Sequence, residues 1–259
     1  MRLAEPVAAS WKAALALRFE KDASRTVLSE RRSDGPLVVQ KPLYPDGPGR
    51  CHAIVVHPPG GIAGGDELAL EVRTEKEANA LLTTPGAAKW YRSAGAWAKQ
   101  ELKFEVQGSL EWLPRETIVF DGALADLRCD VALGTEASFI GWEVVCLGRF
   151  KRGRVRTETR ITQGGRMLFV EKGEIEGGGR LMRSPAGLGG RSVLGTFIAT
   201  SAEKISVEGL ATTHLPGLLI GRYLGDSSEE AFERFTRVWS LLRPAVTGRE
   251  AAIPRIWST

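Results

Sequence analysis

Apolar and polar residues alternate with a period of two along most of this chain, and glycine or proline interrupts the alternation. In the first such run Trp11, Ala13, Leu15, Leu17 and Phe19 share one face, as alternate residues of a strand do. Further strands are expected at 25–32, 36–43, 51–57, 66–74, 78–84, 99–107 and 109–113. Others are expected at 117–120, 127–133, 137–147, 154–162, 166–171, 193–199 and 218–224. One segment follows a helical period instead. Ser227 and Glu230 have capping-box spacing, and Phe232, Phe235, Trp239 and Leu242 then recur on one face. Ala231, Val238 and Leu241 widen the stripe, and Pro244 marks its expected end. A second, short helix is considered near 85–95, where Gly86 and the threonines weaken it. Segment 176–192 reads as a loop or as a short helix with glycine ends. No linker-like shift in composition and no fixed-period repeat is visible, so one β-rich domain over 1–259 is expected.

Composition adds to this picture. Thirty glycines among 259 residues exceed the usual share of roughly 7% and favour many turns, hence many short strands. The net charge of +4 is spread among interleaved acids, as in Lys21-Asp22 and Glu30-Arg31-Arg32. Nucleic-acid binders concentrate basic residues on one element, so a solvated mixed surface is the better reading. A basic patch for an acidic protein partner stays open. Cys51, Cys129 and Cys146 are odd in number and form no CxxC, so no disulfide framework is expected. No signal-peptide pattern and no apolar run near the ~20 residues of a membrane span is seen, so the expectation is a cytoplasmic protein with no membrane contact.

The glycine-rich stretch from His57 to Asp66 lies between two strand-like runs and invites a phosphate-binding reading. Gly60 and Gly65 have P-loop spacing, but Asp66 stands where lysine is needed and a strand follows instead of a helix. No GxSxG nucleophile motif occurs. Cys51, His52 and His57 match no closed zinc pattern. The acids are more informative. Glu143 is the only charge between Phe139 and Leu147 and shares a face with Phe139, Val145 and Leu147. Glu171 shares its face with Met167 and Phe169, and Asp66 with Leu68, Leu70 and Val72. Each either pairs with a buried arginine or backbone donor, Arg115 and Arg149 being candidates, or helps line a passage for a cation. The run from Leu81 leads into a cationic loop with Lys89, Tyr91 and Arg92.

Several motifs in order resemble the urease accessory protein UreD (UreH) family. They are Val56-His57-Pro58-Pro59-Gly60-Gly61 with Gly64-Gly65-Asp66, and Thr83-Thr84-Pro85 with Lys89-Trp90-Tyr91-Arg92. Gln100, Leu110-Glu111-Trp112-Leu113-Pro114-Arg115-Glu116 and Gly141-Trp142-Glu143 with Cys146-Leu147-Gly148-Arg149 follow, and Pro254-Arg255-Ile256-Trp257 closes the series. The resemblance implies a β-helix-like stack of short strands with two helices. It implies a non-enzymatic maturation factor that binds apo-urease and UreF, with UreG recruited through UreF and a dimeric complex formed through UreF. Nickel would pass through transiently, with no tightly bound cofactor. By the same resemblance Asp66, Glu143 and Glu171 line the nickel path, with Glu111, Glu116 and Asp121 as further candidates. His57, Gly60, Gly61, Gly65, Lys89, Tyr91, Arg92, Ser93, Arg115 and Glu116 are loop or partner candidates, and Arg255 and Trp257 support a UreF-facing surface. Two other readings stand beside the conduit. One is a pure assembly scaffold whose buried acids are structural. The other is an enzyme using Glu143 with Asp66 or Glu171 as an acid/base pair.

Overall fold

A computed structural model describes residues 10–258. The hairpin β1 (Lys12–Asp22) and β2 (Arg25–Asp34) leads into the short β3 (Val38–Val39). The chain then coils. The first coil is β4 (Cys51–Val56), β5 (Gly61–Ile62) and β6 (Glu67–Thr74). The second is β7 (Asn79–Thr83), β8 (Ala88–Trp90) and β9 (Ala98–Val106). The third is β10 (Ser109–Leu113), β11 (Thr117–Val119) and β12 (Leu124–Leu133), and the fourth is β13 (Ser138–Cys146) and β14 (Arg154–Gln163). There follow β15 (Arg166–Glu176), α1 (Arg180–Arg183), β16 (Val193–Ala199), β17 (Ala211–Leu215), β18 (Leu218–Gly225) and α2 (Ser228–Thr247). A 3-10 turn, Arg255–Ser258, ends the described residues.

The result is a mainly β solenoid of about 4 turns, as the resemblance implied. In one sheet β1, β6, β9, β12 and β14 run parallel, flanked by antiparallel β2 and β15. In the other, β4, β7, β10 and β13 run parallel and β16, β18 and β17 extend them antiparallel. Strands β5, β8 and β11 stack along the corner between the sheets. Stacked parallel strands are paired on both sides, which matches the backbone donors of the inner strands. The alternation in the sequence follows from this. In β6, for example, Leu68, Leu70, Val72 and Thr74 turn inward and are buried, while Glu71 and Arg73 are exposed.

Two apolar cores result. One fills the space between the sheets. The other lies between the outer face of the second sheet and α2, where Phe235, Trp239 and Leu242 are fully buried against Trp142 and Phe197. Ser227 caps α2 by accepting from the Glu230 amide at 3.1 Å, as the capping-box spacing predicted.

Four expectations need correction. Residues near 85–95 form no helix: Ala88–Trp90 is a strand, held between Gly61-Ile62 and Thr117-Val119. Pro244 does not end α2, because near the C-terminus it removes one helical bond while its carbonyl still accepts from the Gly248 amide at 2.9 Å; the helix stops at Gly248, whose φ is 67°. Met167 does not share the inner face with Phe169, since a bulge at Ile161/Thr162 shifts the register and leaves Met167 50% exposed. Strand β17 was missed, because its Thr212, Thr213 and His214 sit on an edge and do not alternate with apolar residues.

Candidate functional site

Strand register places two polar rows face to face at one end of the interior. Across the first sheet, Leu15, Leu70, Leu102, Cys129, Thr159 and Glu171 are successive neighbours. The row is apolar through three strands and then turns polar. Across the second sheet, Glu143, Thr196 and Arg222 are neighbours on β13, β16 and β18. All of the polar members line one cavity of about 470 Å³, whose walls include Leu102, Val131, Phe139 and Ile161. Its lining reaches exposed Pro85 and Gly86 in one loop, and exposed Lys172, Glu174 and Leu181 elsewhere.

Glu143 makes no hydrogen bond or ion pair among the described residues; it is half-buried, with its carboxyl opening into the cavity. Burial, with the Glu171 charge across the cavity adding to it, pushes its pKa up to about 7. Its carboxyl therefore changes charge near neutrality. Burial first, and then the charges of Glu143 and Asp130, also push the Cys129 thiol up, so it stays protonated and unreactive. Glu171 is held differently. Arg222 Nη1 donates to Glu171 Oε2 at 2.7 Å and to Thr196 Oγ1 at 2.6 Å. These two side chains are 36% and 41% exposed for Arg222 and Glu171, so the pair sits at the cavity mouth with Glu143 deeper.

Asp66 is placed elsewhere. It is buried, but its carboxylate accepts from the backbone N–H of Ala63 at 2.7 Å and of Trp11 at 3.2 Å, closing the corner before β6. It is not among the residues lining the cavity. The glycines of that corner have a packing reason. A Cβ on Gly61 would lie 2.2 Å from the Tyr91 ring, and Gly65 adopts a φ of 96°. Tyr91 in turn stacks on Phe120 at 5.2 Å, and the Ser93 hydroxyl donates to Ala96 across its own turn. Lys89 and Arg92 are exposed beside them. His57 and Gly60 line the other end of the cavity. The His57 ring lies 4.7 Å from Trp11, and burial lowers its pKa while the Asp66 charge opposes the shift.

Most of the remaining candidates lie at the helix-covered face, with Arg115 also lining the cavity. Arg115 stacks over Phe232 at 4.2 Å and pairs with Glu116 at 3.4 Å. Trp257 donates to Thr83 Oγ1 at 2.8 Å and packs on Phe232 and Trp239, so it is part of the second core, while Arg255 is exposed. Glu111 is fully buried there among Arg50, Trp239 and Arg243. Asp121 accepts from the amides of Lys151 and Arg152, which fixes a corner. No three His, Cys, Asp or Glu side chains gather into a metal-ligand group among the described residues. Sequence reasoning missed Thr159, Thr196 and Arg222. The signal available for Arg222 was a lone charge inside the apolar run from Leu218 to Leu224.

Comparison with known proteins agrees across nearly the whole chain. The family model described as UreD urease accessory protein matches residues 12–258. The urease accessory protein UreD of Azoarcus sp. (strain BH72) is 48% identical over 269 residues, covering 96% of this chain and 94% of that protein. Its counterpart from Dechloromonas aromatica (strain RCB) is 45% identical over 276 residues, covering 96% and 95%. That of Janthinobacterium sp. (strain Marseille) is 43% identical, with 96% and 92% covered. A match of this extent means that the chain belongs to the UreD family of urease accessory proteins.

Proposed function

We propose that this urease accessory protein passes nickel through its interior cavity toward apo-urease, as a maturation factor with no catalytic step and no tightly bound cofactor. In this reading it works in the cytoplasm in a complex with UreF, which brings UreG. The observation that carries the reading is Glu143: a half-buried carboxyl with no protein partner among the described residues in a cavity of about 470 Å³, facing a second carboxylate on the opposite sheet. The buried acid Glu111 is matched by donors, whereas Glu143 faces the cavity with none among the described residues. Two oxygen ligands suit a divalent cation while holding it weakly, as transfer requires. His57 lies along the same cavity, and Asp66 shapes the corner beside it.

The exposed residues of the corner loop, Lys89, Tyr91 and Arg92, offer a surface for a partner protein, and Arg255 another. The ion pair of Glu171 with Arg222 favours the scaffold reading for that one acid. The test is to make Glu143→Gln and Glu171→Gln, singly and together, in the full chain expressed with urease and its other accessory proteins. The complex should still co-purify while urease activity after nickel supply falls severalfold. Unchanged activity in the double variant would return both acids to a structural role.

A further inference from the structure

The mouth of the cavity already holds a cation. Arg222 reaches Glu171 from the opposite sheet and is steadied by Thr196 on the adjacent strand. Its guanidinium also lies 6.0 Å from the Phe169 ring, on the same strand as Glu171. The other cations lining the cavity are engaged away from the facing acids: Arg115 with Glu116, and Lys172 with Glu158. Glu174, the third lining acid, is held by Arg156 at 2.7 Å. Arg222 is thus the one cavity cation, among the described residues, that is paired with either acid of the facing pair.

We infer that Arg222 is a tethered counter-ion of the cavity mouth, which occupies Glu171 in the empty protein and must be displaced by an incoming divalent cation. This rests on the conduit reading above and adds a regulation of the same site. With both carboxylates free, the site would hold a dication more tightly and release it more slowly. A built-in guanidinium competes for one of them, lowers the affinity and returns to Glu171 as the ion leaves. Arginine suits the role because it stays charged at all working pH values and its fork fits a carboxylate. Its half-exposed position allows it to swing toward solvent without burying an unpaired charge. Thr196 supplies the resting anchor.

The experiment is equilibrium dialysis of nickel(II) against the full chain at low ionic strength. Arg222→Gln is expected to bind nickel about tenfold more tightly, the effect of removing one adjacent opposite charge from a carboxylate. Arg222→Lys keeps the charge and should stay near the parent affinity. The gain should vanish in the double change Arg222→Gln with Glu171→Gln. Thr196→Val keeps the charge but loosens the latch, and a few-fold gain is expected; it serves as the test if Arg222→Gln does not fold. The proposal is overturned if the folded Arg222→Gln or, in its place, Thr196→Val binds nickel no more tightly than the parent. It is equally overturned if the gain persists without Glu171. The conduit reading fails separately, if Glu143→Gln and Glu171→Gln leave urease activation intact while Arg222→Gln still tightens binding.

Discussion

Glu111 and Glu143 sit on consecutive coils of the same sheet and point to opposite sides of it. Glu111 turns outward, under α2, where Arg50, Arg243 and the Trp239 indole all donate to its carboxylate. Arg243 extends the nest to Asp46, which also takes His52 Nε2 at 3.1 Å. Burial would raise Asp46, but the hydrogen bonds from His52 and Arg243 outweigh it and hold its pKa at about 2. Glu143 turns inward and meets no donor among the described residues, only the charge of Glu171 across a cavity. Glu111 is fully buried, and Glu143 is half-buried with protein on most sides. What separates them is whether donors answer the carboxylate, so burial alone does not identify a site in this fold.

The largest effect follows from the matched side. Glu111→Gln leaves Arg50 without its counter-ion and Arg243 with Asp46 alone, all in a region closed to water. Breaking one partner out of a buried ionic nest costs about 3–5 kcal/mol, so the urea midpoint should drop steeply. The change should act on stability, since α2 is clamped to the solenoid through these groups. A loss below about 1 kcal/mol would show that the nest does not hold the helix.

The unmatched side predicts the opposite sign. Glu143 has its folded pKa raised from 4.5 to about 7. A raised carboxyl favours the fold while it is protonated. That contribution is complete below the unfolded value and is lost as the pH rises through the folded one. Glu143→Gln removes this dependence. Compared with the parent, the variant should gain about 2 kcal/mol between mildly acidic and mildly alkaline pH, read from denaturation at each pH. Cavity water would lessen the gain. A flat difference across the range would mean that Glu143 has an unseen donor, and the contrast with Glu111 would collapse.

Sequence patterning carried the strands because one face of each is buried and period two makes that visible. It also carried Glu143, since a lone charge in an apolar run stands out in any register. It did not carry the rows. Glu67 lies opposite Lys99, Lys99 opposite Asp126 and Asp126 opposite Arg156, so successive coils advance by unequal intervals and leave no repeat to read. Cys129, Thr159 and Glu171 meet only through that register, as do Glu143, Thr196 and Arg222. Strand β8 is too short to show alternation, and its identity comes from the coils on either side. The bulge that turned Met167 outward is likewise a property of pairing, with no glycine or proline among Met167, Leu168 and Phe169 to announce it.

Asp66 gives the smallest and sharpest test, because it combines features of both acids. It is buried like Glu111 and lies near one end of the cavity wall, beside His57, yet two backbone amides answer its carboxylate. If answered acids are structural, Asp66→Asn should lower stability by about 1 kcal/mol, since a neutral carbonyl replaces a charged acceptor toward Ala63 and Trp11. Loss of the Asp66 charge should also lower the His57 pKa further, because that charge is what opposes the effect of burial there. Proton NMR titration of His57 reads this directly. Urease activation should then follow stability alone, and be restored at lower temperature. Activation that falls while stability and assembly hold would move Asp66 to the side of Glu143, and a fully hydrogen-bonded acid would have to count as part of the proposed nickel path.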